Sequence, residues 1–134
     1  MSSGSIANRA GTLRVIDGRS GAVLADRVRL CDSMLSRFLG LMLRASLGAG
    51  EGIILSPCGS VHMALMRFSI DVLYLDRTGH ADKLVEGLRP YCISFGGRSA
   101  RHAVELPAGT LARAGVQQGN PIEIRDEDGN RVTL

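Results

Sequence analysis

Residues 69–76, SIDVLYLD, set the tightest constraint on what this chain can fold into. In an extended segment Ile70, Val72 and Tyr74 share one face, while Asp71, Leu73 and Leu75 share the other. Both faces are apolar apart from Asp71, and a strand of that kind has to be covered on both sides. The segment is therefore expected to be an interior strand, paired on both flanks, with the turn DRTG sending the chain back into a return strand. A carboxylate in such a place is costly unless it is hydrogen-bonded. Asp71 thus calls for an arginine or several backbone amides within about 3 Å. His62, Arg67 and Arg89 are the side chains expected to reach it.

The remaining chain reads as short strands separated by turns. TLRVID and AVLADRVRL alternate around GRSG, which predicts a hairpin over residues 12 to 30. DSMLSRFLGLMLR carries Met34, Leu35, Phe38, Leu39, Leu41 and Met42 at helical spacing behind a capping Asp32 or Ser33, which predicts a helix over 33–43. GIILS reads as a short buried strand and HAVELP as another. LRPY and FGGRSAR read as loops, and AGTLARAG as a short helix stopped by Gly115. NPIEIRDEDGNRVTL reads as a hairpin turning on EDGN. Six to eight short strands with one or two short helices predict a mainly β fold: a compact antiparallel β-sandwich or open barrel. Residues 1–11 read as a flexible N-terminal tail and residues 12–134 as a single β-rich domain. There is no internal repeat and no heptad pattern.

Length and charge narrow the classes of function. A chain of 134 residues can bury about two-thirds of its unfolded surface without metal or disulfide staples. Sixteen Lys and Arg against thirteen Asp and Glu give +3, nearly all of it from arginine. No basic run is interleaved with aromatic residues, so nucleic acid is not an expected partner. The start of the chain lacks the charged and apolar regions of a secretory signal, and no run reaches the eighteen apolar residues of a membrane span. A soluble, cytoplasmic protein with no membrane partner is the expectation. Three cysteines without paired spacing argue against a disulfide framework.

Chemistry concentrates in SPCGSVHMALMRFSID. Cys58, His62 and Met66 lie four residues apart, a ligand set suited to cuprous copper or, for Cys and His, to zinc. Without a second cluster at metal-like spacing, no metal and no cofactor are expected. A Cys58 nucleophile activated by His62 would need the segment to be helical, and Pro57 and Gly59 favour a loop. GAGEG lacks the lysine and serine of a phosphate cradle and precedes a strand, so it reads as a turn. The arginines of LRPYCISFGGRSARH have two readings, a binding surface for an anion or ordinary solvated charge.

The run GLMLRASLGAGEGIILSPCGSVHMALMRFSIDVLYLDRTGH, then LRPY, then VELPAGTLARAGVQQGNPI, resembles the uncharacterised family known as domain of unknown function 192. The resemblance spans residues 37 to 124 and implies a compact β-rich domain. It implies no activity, substrate or cofactor. Its recognisable positions include Glu51, Cys58, His62, Met66, Arg67, Asp71 and Gly109, and Ser69 stands where many relatives have proline.

Together these features predict a non-catalytic domain that binds a small polar ligand, anionic or sugar-like. Its cleft is expected at His62, Arg67, Asp71, Arg89 and Tyr91, with Cys58, Met66 and Glu51 as possible additions. The alternatives are a hydrolytic or metal-assisted enzyme using Asp71, His62 and Cys58, and an interaction module that pairs through a sheet edge.

Overall fold

The computed structural model describes residues 12–31, 46–62 and 67–134. The expected helix at 33–43, the expected tail at 1–11 and Met66 lie outside the described residues. The fold is mainly β, a curled seven-stranded sheet that forms a half-barrel. In chain order its elements are β1 (Leu13–Asp17), β2 (Val23–Cys31), β3 (Glu51–Leu55), β4 (Ser60–His62), β5 (Ile70–Leu75), β6 (Ala81–Leu88), β7 (Ile93–Phe95), β8 (His102–Pro107), α1 (Thr110–Ala114) and β9 (Ile122–Arg125). The sheet runs β6-β5-β8-β3-β2-β1-β9, while β4 and β7 form a separate two-stranded ribbon.

The two-faced segment is β5, hydrogen-bonded to β6 on one flank and β8 on the other. All six of its residues are buried. Alternation along it splits the core in two. Leu73 and Leu75 join Val15, Val28, Ile54, Val104 and Leu111 on the face that carries α1. Ile70, Val72 and Tyr74 join Ile53, Leu55 and Ala103 on the other, against which Val61, Phe68 and Cys92 pack. The sheet is thus sandwiched between a short helix and the β4–β7 ribbon.

The expected hairpins are present. β1 pairs antiparallel with β2, β5 with β6, and β9 meets the chain's end through an Arg125–Arg131 bridge. The expectation of a wholly antiparallel sheet needs one correction, because β2 and β3 run parallel, with Arg27 opposite Glu51 and Cys31 opposite Leu55. Nineteen intervening residues let the chain cross over and re-enter the sheet in the same direction. No helix among the described residues is long and apolar enough to cross a membrane.

The curl brings the two ends of the sheet together at one corner. His80, just before β6, bridges Pro121, just before β9. Around that bridge Ala81 N donates to Asn120 O (2.9 Å), Ile122 N to Gly79 O (2.9 Å) and Gly18 N to Pro121 O (2.7 Å). The buried Asn120 amide also donates to Asp17 Oδ2 at 3.1 Å. This seam joins β1, β6 and β9.

Candidate functional site

Asp71 is fully buried, on the α1 face of β5. Its Oδ1 accepts from Gly87 N (2.9 Å) and its Oδ2 from Gly109 N (3.1 Å) and Leu111 N (2.9 Å). The N-cap residue of α1 is a glycine at φ 93° with no capping side chain, so Asp71 caps the helix from a neighbouring strand. Backbone amides, not the expected Arg67, Arg89 or His62, supply these bonds. Arg67, Arg89 and Tyr91 are exposed, beyond the Ile70–Leu88 end of the β5–β6 hairpin. His62 pairs with Ile93 in the ribbon, which packs on the opposite face of the sheet from Asp71. The expected cleft is therefore divided: strand parity directs Asp71 toward α1, away from the layer that carries His62 and Tyr91.

The other expected residues take local roles. Glu51 Oε1 accepts from Gly48 N at 2.7 Å and closes the turn before β3. The Cys58 thiol donates to Ser60 O at 2.8 Å. Among the described residues no group of three or more His, Cys, Asp and Glu is placed to hold a metal ion.

Sequence reasoning missed the ribbon itself. β7 presents Ile93 and Phe95, 61% and 63% exposed, in line with Tyr91 at 77%. Tyr91 sits at φ 65°, in a turn closed by Cys92 N donating to Arg89 O. Pro90 before it favours the turn, but a non-glycine residue in the left-handed region is strained. The apolar alternation of ISF is visible in the sequence, and the structure turns both apolar side chains outward.

Three arginines gather at the opposite end of β5. Asp76 opens the β5–β6 turn, and its Oδ1 accepts from Thr78 N (2.9 Å), Thr78 Oγ1 (2.7 Å) and His80 N (2.9 Å). Gly79 completes this turn at φ 86°, a conformation glycine adopts without strain. Desolvation pushes the Asp76 carboxyl up, but the bonds from His80 and Thr78 outweigh it and hold the acid below its ordinary value. Arg77 is left exposed at the turn's tip. The 96–101 loop is fastened alongside by Arg101 N donating to Leu75 O (2.8 Å) and by Cys58 N donating to Arg101 O (2.7 Å).

Arg77, Arg98 and Arg101 consequently line one groove of about 350 Å³ in which Asp76 is the single acid. Among the described residues none of the three guanidinium groups enters an ion pair or side-chain hydrogen bond. Arg77 and Thr78 also border a second cavity of about 360 Å³ at the seam, floored by Leu75, Ile122, Ile124 and Val132. His102 lines it and shares a 2.8 Å hydrogen bond through Nδ1 with Ser56 Oγ. Burial first, and then the charge of Arg101, lower this imidazole's pKa, which favours its neutral form.

The sequence profile of DUF192, described as an uncharacterized ACR, matches residues 15–124. The chain belongs to the DUF192 family. It is 32% identical over 108 residues to a UPF0127 protein of Pyrococcus furiosus, covering 77% of this chain and 90% of that one. UPF0127 proteins of Thermococcus sibiricus (29% over 118 residues, 85% and 76% covered) and Thermococcus gammatolerans (30% over 113 residues, 81% and 72% covered) are similar to it as well. Two crystal structures share the fold. One is a protein of unknown function from Novosphingobium aromaticivorans, with a TM-score of 0.72, 21% identity, and 83% of this chain and 82% of that chain covered. The other, from Sinorhizobium meliloti, is named as a candidate transcription regulator, with a TM-score of 0.70, 27% identity, and 83% and 90% covered. The DUF192 assignment carries no activity with it, so the function of this member has to be argued from its geometry.

Proposed function

We propose that this DUF192 protein is a non-catalytic module that binds a small anionic ligand in the groove between the β5–β6 turn and the 96–101 loop. One observation carries the reading: Arg77, Arg98 and Arg101 line the same groove without partners among the described residues, and the only acid there is committed to its own turn. Three cations within one concavity repel one another, and an anion relieves that repulsion while taking charge-assisted bonds from the planar guanidinium forks. Two of the three arginines belong to the loop whose sequence admitted an anion-binding reading. A hydrolytic reading built on Asp71, His62 and Cys58 lacks support, because the Asp71 carboxyl is consumed by three amides on the α1 face.

Isothermal titration with orthophosphate and with acetate tests the proposal directly. Binding is expected in wild type, and Arg98→Gln or Arg101→Gln should each weaken it about tenfold, the loss of one charge-assisted bond. Both side chains are exposed, so stability should stay within about 0.5 kcal/mol. Affinity indifferent to all three arginines, or no binding of either anion, would refute the reading.

A further inference from the structure

The arginine groove and the apolar seam cavity are neighbours, and their arrangement says more about the ligand than its charge. Both are bordered by Arg77 and Thr78, so the β5–β6 turn is a ridge with cations on one side and an apolar floor on the other. The floor consists of Leu75, Ile122, Ile124 and Val132, all buried apolar residues. The rim also carries Glu123 and Arg131, which pair at 3.7 Å, and the Glu123 carboxyl is bound by Arg125 at 2.7 Å and held below its ordinary pKa first by that bond. The charges on that rim are already paired with one another, whereas Arg77, Arg98 and Arg101 have no ion-pair partner among the described residues, which makes the arginine side of the ridge the place for an anionic head.

Resting on the anion-binding reading above, we infer that the ligand is an amphiphilic anion: a phosphate or carboxylate head held by Arg77, Arg98 and Arg101, and a short apolar body laid over the turn into the seam cavity. The cavity's volume of about 360 Å³ lies at the small end of ligand sites and holds roughly a dozen water volumes. That is room for a body of about six to eight carbons. The cavity exists because the sheet curls until His80 meets Pro121, so the apolar half of the site is a product of the half-barrel itself.

The experiment is a chain-length series on the intact protein, read by calorimetry and by amide chemical shifts. The probes are orthophosphate, then methyl, butyl, hexyl and decyl phosphate, with hexanoate and hexanol as references. Affinity should rise about fourfold for each added methylene up to roughly hexyl, then level off as the cavity fills. Methyl phosphate should move the amides of residues 98–101 alone, and hexyl phosphate should also move those of Ile122, Ile124 and Val132. Hexyl phosphate and hexanoate compare the two head chemistries, and either binding tightly supports an amphiphilic anion. If orthophosphate binds but hexyl phosphate binds no better than methyl phosphate, the apolar half of the inference is wrong while the anion reading survives. Hexanol matching hexyl phosphate would overturn the charged half. No binding by any probe would overturn both readings.

Discussion

Asp71 accepts three backbone N–H groups with two oxygens, so Asp71→Ala would strand the amides of Gly87, Gly109 and Leu111 around a small hole. Each unsatisfied amide costs about 1–3 kcal/mol, and partial hydration offsets some of the sum. A loss of roughly 3 kcal/mol is expected in chemical denaturation, with orthophosphate binding in the surviving folded protein unchanged. Glu105, on the adjacent strand β8, sits under different conditions. It is 4% exposed on the opposite face, between Ile53 and Val72, and among the described residues no side-chain hydrogen bond reaches its carboxyl. Burial pushes this acid up to about 7. The folded state therefore binds the Glu105 proton more tightly than the unfolded chain, whose carboxyl titrates near 4.5. The sign follows from linkage: this contribution is fully present below about pH 4.5, falls as pH rises, and is gone above about pH 7. At about 1.4 kcal/mol per pH unit the whole span is worth about 3 kcal/mol. Glu105→Gln should flatten that slope and be the more stable protein at pH 8, as measured by urea unfolding at pH 5 and pH 8.

The ribbon and its turns show which elements a sequence exposes to reading. β5 was legible because two apolar faces permit only an interior position, and the hairpins were legible because Gly79 and Gly129 mark turns at positive φ. β4 and β7 were not, because strands of three residues are too short to show a period, and outward-facing Ile93 and Phe95 break the rule that links apolar residues to burial. The parallel pairing of β2 with β3 depends on a crossover that no local pattern encodes. For the site, alternation separated Asp71 from its neighbours on β5 correctly, yet alternation alone does not say which face meets which loop. That is why the expected cleft joined residues that lie on two sides of the sheet. The loop arginines were legible as charge; what gathers them with Arg77 is the non-local bond from Arg101 N to Leu75 O. At the ribbon's end, Tyr91 offers an element-level test. A left-handed non-glycine residue costs about 1–2 kcal/mol, whereas its exposed ring contributes little packing. Tyr91→Gly should therefore raise stability by up to about 1 kcal/mol, after the larger unfolded-state entropy of glycine is counted. A fall in thermal or chemical stability would show that the ring is held by contacts which repay the strain.

At the scale of the whole molecule, the seam converts an open sheet into a half-barrel and sets the geometry of both cavities. Its backbone bonds link residues far apart in sequence: Gly18 to Pro121, Gly79 to Ile122 and Ala81 to Asn120. Side chains reinforce them: the Asn120 amide donates to the buried Asp17 carboxylate, and Gln118 Nε2 donates to Asp82 O at 2.9 Å. Asp17 Oδ1 also accepts from Arg19 N at 2.9 Å, so Asn120→Ala leaves the carboxylate with a donor but weakens its tie to β9. A loss of about 1–3 kcal/mol follows from removing a hydrogen bond to a buried charge. The more informative outcome is spatial. If the seam opens as a unit separately from the sheet, the substitution should speed amide exchange at Gly18, Ala81 and Ile122 far more than at Leu73 and Val104, which lie in the interior β5–β8 pair. Apolar binding should then weaken with it, because a loosened corner no longer holds the Leu75 and Ile122 floor in place, while orthophosphate at Arg98 and Arg101 should bind as before. Equal acceleration at every amide would mean that the corner opens only when the whole sheet unfolds, and that the half-barrel is one cooperative body from β6 to β9.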